Sequence, residues 1–164
     1  MPKNGFSLIE LLIVVAIILI IAAIAIPTLT RARVAADESS AVGSIRTINT
    51  AEISYNAAYP AVGFATNLTY LGGAAPCTPS TNSACFIDSL LSSGNPSTKS
   101  GYTFTLGVGA CTAATPNNCY SVISGPTFSA YTGARYFCSF EDGVVRSSTS
   151  SISNPCPAST PPIQ

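Results

Sequence analysis

Histidine and tryptophan are absent from this 164-residue chain, and Met1 is its only methionine. Without histidine there is no Ser-His-Asp or Cys-His catalysis, no usual catalytic zinc set and no histidine-ligated haem. Charge is scarce too, at 9% of residues, against roughly 25% in ordinary soluble domains. Seven basic residues balance seven acidic ones, so no basic footprint for nucleic acid is expected. Residues 61–164 have no acidic cluster beyond Glu141-Asp142, and no C-x-x-C occurs. The expectation is therefore no enzyme, no cofactor and no metal site.

What the chain has in excess is apolar residues, 47% of the total, and many sit in one block. After a short polar start carrying Lys3, residues 6–26 read FSLIELLIVVAIILIIAAIAI, with Ser7 and Glu10 the clearly polar members. A helix of that length covers about 31 Å at the standard rise, enough to cross a bilayer core. A secretory signal has a shorter apolar run followed by a small-residue cleavage site. Here Pro27 and Thr28 follow instead, and a retained transmembrane helix is expected. Lys3 on one side and Arg31 and Arg33 on the other, offset by Asp37 and Glu38, leave the positive-inside count near a draw. All six cysteines lie after the apolar run, which assigns that side to the oxidising compartment.

Glu10 is the informative residue of the block. A carboxylate at mid-bilayer costs about 2.5–3.5 kcal/mol on insertion scales, and less near a helix end. Either Glu10 snorkels or is protonated, or it waits for a cation that its own segment lacks.

The string Gly5-Phe6-Ser7-Leu8-Ile9-Glu10-Leu11-Leu12-Ile13-Val14-Val15 closely resembles the N-terminal motif of type IV prepilins. The resemblance implies that prepilin peptidase cuts after Gly5 and methylates the new N-terminal Phe6. It implies that Glu10 is the assembly glutamate, pairing with the amine of a neighbouring subunit's first residue. It also implies that Pro27 is the proline that bends or locally melts the helix in filaments. The motif covers about the first 30 residues, and it is shared by pilins, type II secretion pseudopilins and competence pilins.

Beyond Pro27, the residues Ala41, Ile45, Ile48, Ala51 (or Glu52), Tyr55 and Tyr59 recur at steps of three and four. That spacing is one apolar stripe of a helix. Arg31, Arg33, Asp37, Glu38, Arg46 and Glu52 mark the wetter sides, and Pro60 is a stop signal. One helix from Phe6 to about Tyr59 is expected. Tyr55, Tyr59 and Phe64 read as packing aromatics rather than as an electron-carrying stripe.

Residues 61–100 are rich in Gly, Pro, Ser, Thr and Asn and read as irregular, with one short helix at Phe86–Leu91 whose two leucines pack inward. Period-two alternation then marks strands at Tyr102–Val108, Cys119–Ser124, Arg135–Phe140 and Val144–Ser147. Asp142-Gly143 is a hairpin signal. The expected fold is α+β: a long N-terminal helix packed on a C-terminal antiparallel meander of about four strands, with a disulfide-stapled head. The meander also resembles the pilin head. Equal spacing of seven intervening residues suggests the pairs Cys77–Cys85 and Cys111–Cys119. That leaves Cys138–Cys156 to tie the last sheet segment to a Ser/Pro-rich tail, although sequence alone does not choose a connectivity.

The chain thus divides into a leader at 1–5, a transmembrane and assembly helix at 6–27, an amphipathic continuation at 28–60 and a head at 61–164. The leading expectation is the major structural subunit of a type IV pilus, used for adhesion or motility. Its partners would be further copies of itself, prepilin peptidase, the pilus assembly machinery and, before assembly, the cytoplasmic membrane. It would begin with its head on the periplasmic side and end in an extracellular filament. The alternatives are a pseudopilin, or a minor or competence pilin acting as a binding module. With Lys99, Arg135 and Arg146 the only basic residues of the head, nucleic acid is not an expected partner.

Overall fold

The computed structural model describes residues 6–110, 116–129 and 131–163. Helix α1 spans Leu8–Ala58, within two residues of the expected bounds at either end. The chain forms two compact units that divide between Arg33 and Val34.

From Leu8 on, the first unit is bare helix. Its apolar side chains are exposed on every side, from Leu8 at 80% through Ile13 at 52% to Ile24 at 70%. Leaving each such side chain in water forgoes roughly 1.5–3 kcal/mol of burial. By length and composition this stretch is sufficient to cross a membrane. The helix continues through Pro27, which has no N–H to give the carbonyl of Ala23. Just beyond, the hydroxyls of Thr28 and Thr30 each donate to the carbonyl four residues back, Ile24 and Ile26, at 3.0 Å. Such back-bonding keeps the hydroxyls satisfied in apolar surroundings.

The second unit is an α+β head. Strands β1 (Ser97–Lys99), β2 (Tyr102–Val108), β3 (Tyr120–Pro126), β4 (Tyr136–Phe140) and β5 (Arg146–Ser148) form one antiparallel sheet in sequential order. Ala41, Ile45, Ile48, Ala51 and Tyr55 of α1 join Phe104, Leu106, Val122 and Phe137 of the sheet in one buried cluster. On β2, Tyr102, Phe104 and Leu106 point inward while Thr103 and Thr105 are half-exposed, as period two requires. Gly143, at φ +70°, makes the β4–β5 turn and donates its N–H to Phe140 at 2.8 Å.

Several local expectations are corrected. The sheet has a fifth strand, β1, on its edge. Residues 86–91 form a turn rather than a helix: the Asp88 carboxylate caps the N–H groups of Leu90 and Leu91 at 3.0 Å as at a helix start, but a single turn, closed by Ser92 N–H to Asp88 O at 3.1 Å, is all that follows. Leu91 is buried there, but Leu90 faces solvent at 60% exposure. The short helix lies earlier, as α2 (Leu68–Leu71), capped by Asn67 whose Oδ1 accepts from Thr69 N–H at 3.0 Å. Leu68 and Leu71 are fully buried and hold it in place.

Glu38, expected on a wetter side, and Glu52, expected either on the stripe or on a wetter side, are both buried. Each ties α1 to a later segment. Glu38 accepts the N–H groups of Ala134 and Arg135 at 3.0 and 3.3 Å, and pairs with the Arg135 guanidinium at 2.7 Å. Burial alone would raise its pKa, but the Ala134 N–H and then Arg135 outweigh that and hold the carboxyl below the usual range. Between the two glutamates, Asn49 donates to Ser139 Oγ at 2.9 Å and accepts from the Tyr120 hydroxyl at 3.1 Å.

Cys77 is bonded to Cys85, and Cys138 on β4 to Cys156 in the tail. Cys119 is buried and disulfide-bonded; Cys111 lies outside the described residues. The tail returns along β5, where Ser147 N–H donates to Pro161 O and Ile163 N–H to Val145 O, both at 3.0 Å.

Two predictions follow from this packing. Glu38→Ala strands the Ala134 N–H and should cost about 1–3 kcal/mol, read as a lowered midpoint in thermal unfolding of the full chain in detergent. Because the native Glu38 pKa is depressed, its stabilisation is present above the unfolded carboxyl pKa and lost as pH falls through the native one, so the wild-type advantage should shrink on acidification. Replacing Cys138 and Cys156 together by alanine should cost about 2–4 kcal/mol in the same measurement.

Candidate assembly site

The residues singled out for processing and assembly lie at the start of α1. Gly5 and the rest of residues 1–5 lie outside the described residues. Phe6 is 74% exposed and precedes the helix by two positions. The Ser7 carbonyl accepts from Glu10 N–H at 3.1 Å and Leu11 N–H at 3.2 Å, which starts the first turn. Glu10 occupies that turn, where a carboxylate complements the positive end of the helix dipole.

Glu10 is the only charged residue between Phe6 and Thr30. Its side chain is exposed, and none of the ion pairs among the described residues includes it. The neighbours on its face, Phe6, Ile13 and Val14, are apolar and exposed. A carboxylate set in such a surface binds a cation strongly only once other apolar matter excludes water around it. An amine on Phe6 would stand four residues from Glu10 (10 − 6), one helical turn away.

The head adds little charge of its own. Lys99 pairs with Asp88 at 2.7 Å, Arg135 with Glu38 at 2.7 Å and Arg146 with Asp142 at 2.6 Å. The Arg146 guanidinium also lies over the Phe140 ring, 4.2 Å from its centroid. Each basic side chain of residues 61–164 therefore already has an anion, which leaves that part of the surface nearly neutral and Ser/Thr-rich. No group of three metal-ligating side chains occurs among the described residues. Tyr55 and Tyr59 stack tilted at 5.0 Å, as do Phe64 and Tyr120. The Tyr55 hydroxyl donates to Thr81 O at 2.6 Å, so these rings tie the helix to the loops.

Sequence reasoning missed Glu38 and Asn49 as polar anchors, and for Glu52 it offered only an alternative place on the stripe, not its bond to Ala65. The only signal was position: Glu52 sits beside Ala51 on the apolar stripe, and Asn49 beside Ile48.

No curated protein and no solved structure matches the chain. Residues 1–26 match the family model described as the prokaryotic N-terminal methylation motif. The match covers Gly5, Phe6 and Glu10 and runs to the residue before Pro27. With a long apolar helix followed by an antiparallel, disulfide-bonded head, the chain carries at its N-terminus the signature of type IV pilin precursors.

Proposed function

We propose that the chain is the major structural subunit of a type IV pilus. Prepilin peptidase cuts it after Gly5 and methylates Phe6, and residues 6–27 then leave the cytoplasmic membrane to form the core of a helical polymer. Residues 28–60 and 61–164 form the part displayed outside that core. The observation that carries the reading is the stretch of α1 from Leu8 to Ile26, apolar and exposed all round with Glu10 as its lone charge. Such a segment needs apolar cover on every side, and copies of itself supply it after the lipid does.

Glu10 sets the axial register. Cleavage frees an amine on Phe6, and in staggered neighbours this amine meets Glu10 in a water-poor core. A buried pair adds little net stability, but a mis-set subunit strands both charges, which costs several kcal/mol. Pro27 frees a backbone carbonyl where the helix can bend to fit its neighbours. The disulfides and the nearly neutral head surface suit a durable fibre with close lateral packing. The head stands on the periplasmic side before assembly and outside the cell afterwards, where the fibre serves adhesion or motility.

Glu10→Ala should leave the precursor in the membrane and correctly cleaved, while fibres sheared from the cells fall roughly tenfold or more. Normal fibre yield would defeat the register argument. Gly5→Val should block cleavage, so that intact mass spectrometry finds the chain with residues 1–5 still attached. For the wild type, a sheared fibre whose subunit begins at methylated Phe6 supports the pilus. A processed chain confined to the envelope would point instead to a pseudopilin.

A further inference from the structure

Glu52 is sealed from solvent, at 0% exposure, on the face of α1 that meets the rest of the head. Its Oε2 accepts the N–H of Ala65 at 2.8 Å, and its Oε1 is buried with no partner. No cation compensates it, since none of the ion pairs among the described residues includes it.

Its titratable neighbours come from three directions. Tyr55, with Tyr59 beyond it, lies on α1; Tyr70 reaches the same cluster from α2; Tyr120 faces it from β3. Glu141 and Asp142, from the β4–β5 turn, add negative charge at Tyr120. The Tyr55 hydroxyl is committed to Thr81 O and the Tyr120 hydroxyl to Asn49 Oδ1, so neither phenol is directed at the carboxyl. An ionised Glu52 would hold one hydrogen bond where a carboxylate accepts several, in a place water does not reach. Burial accordingly pushes its pKa up to about 8, with the Ala65 N–H opposing the rise.

Ala65 belongs to the segment Tyr59–Thr66, which leads away from the helix. Gly63, at φ +85°, lets the segment bridge to Asn117, and Phe64 N–H donates to Asn117 O at 2.8 Å. Alongside lies a cavity of about 370 Å³ lined by Tyr55, Ala61, Phe64, Tyr70, Asn82 and Asn117.

We propose that Glu52 is a proton-operated latch: Tyr59–Thr66 stays closed over the carboxyl while it is neutral, and ionisation, whose charge one N–H cannot satisfy without water, opens the segment at Ala65. This inference stands apart from filament assembly. The sign follows from linkage. A carboxyl more basic in the folded head than in the open state favours the closed head fully at acidic pH. That preference declines as pH rises from the ordinary carboxyl value of 4.5 to about 8, and is gone above.

The test uses the full chain in detergent micelles. Hydrogen–deuterium exchange is followed by mass spectrometry at pH 6 and pH 9, corrected for the intrinsic exchange rate. In the wild type, opening of the peptide containing Ala65 should rise tenfold or more between the two, while peptides from β2 and β3 hold steady. In Glu52→Gln, neutral at both values, the same peptide should exchange alike. Equal corrected protection in the wild type, or an equal rise in the glutamine variant, overturns the latch. Should that variant fail to fold, a site-assigned carbon-13 titration of Glu52 in the wild type decides. A midpoint at pH 7 or above that tracks the opening bears the latch out, and a lower midpoint overturns it.

Discussion

Water cannot be the final solvent of Phe6–Ile26. A helix with one apolar face can bury it against its own chain, but this one is apolar and exposed all round, and no single sheet or loop covers a full circumference. Its cover must come from lipid or from several neighbouring chains. The remaining features of the chain are consistent with that constraint. Charge is sparse throughout, Glu10 is the only charged group in the apolar block, and the cations of residues 61–164 are already matched with carboxylates.

The head obeys a different logic. Its core is small, with one helix face set against one sheet face, and three polar side chains of α1 reach through it. Glu38 and Glu52 lie fourteen residues apart (52 − 38) on the same helix, both are buried, and their carboxyls respond in opposite directions. Glu38 receives two backbone N–H groups and a guanidinium, so its charge is stabilised. Glu52 receives one N–H and keeps an unpartnered oxygen, so its charge is disfavoured. Deeper burial at Glu52, together with the fewer donors it receives, separates the two.

The C-terminal tail is held by several independent devices. A disulfide joins Cys156 to β4, the Cys156 N–H donates to Ser121 Oγ at 2.7 Å, and Val145 and Ser147 exchange backbone hydrogen bonds with the last residues described. A segment with so few apolar residues has little burial energy of its own. Covalent and backbone ties supply what packing does not.

The sequence by itself determined the elements whose signal is long or stereochemical. The apolar run, the stripe from Ala41 to Tyr55, the stop at Pro60, the alternation on β2 and the Asp142-Gly143 turn were all legible, because period and backbone preference are local properties. The methylation motif was legible for the same reason. Short elements were not. Ser97–Lys99 carries no alternation, and it is a strand because β2 offers it an edge. Leu68–Leu71 is too short to nucleate alone and persists because both leucines are buried. Phe86–Leu91 looked helical by composition, yet only one turn forms, capped by the Asp88 carboxylate and not propagated. Whether Glu38 and Glu52 face water or the core was decided only by the tertiary structure, since the donors that receive them lie 96 and 13 residues away along the chain.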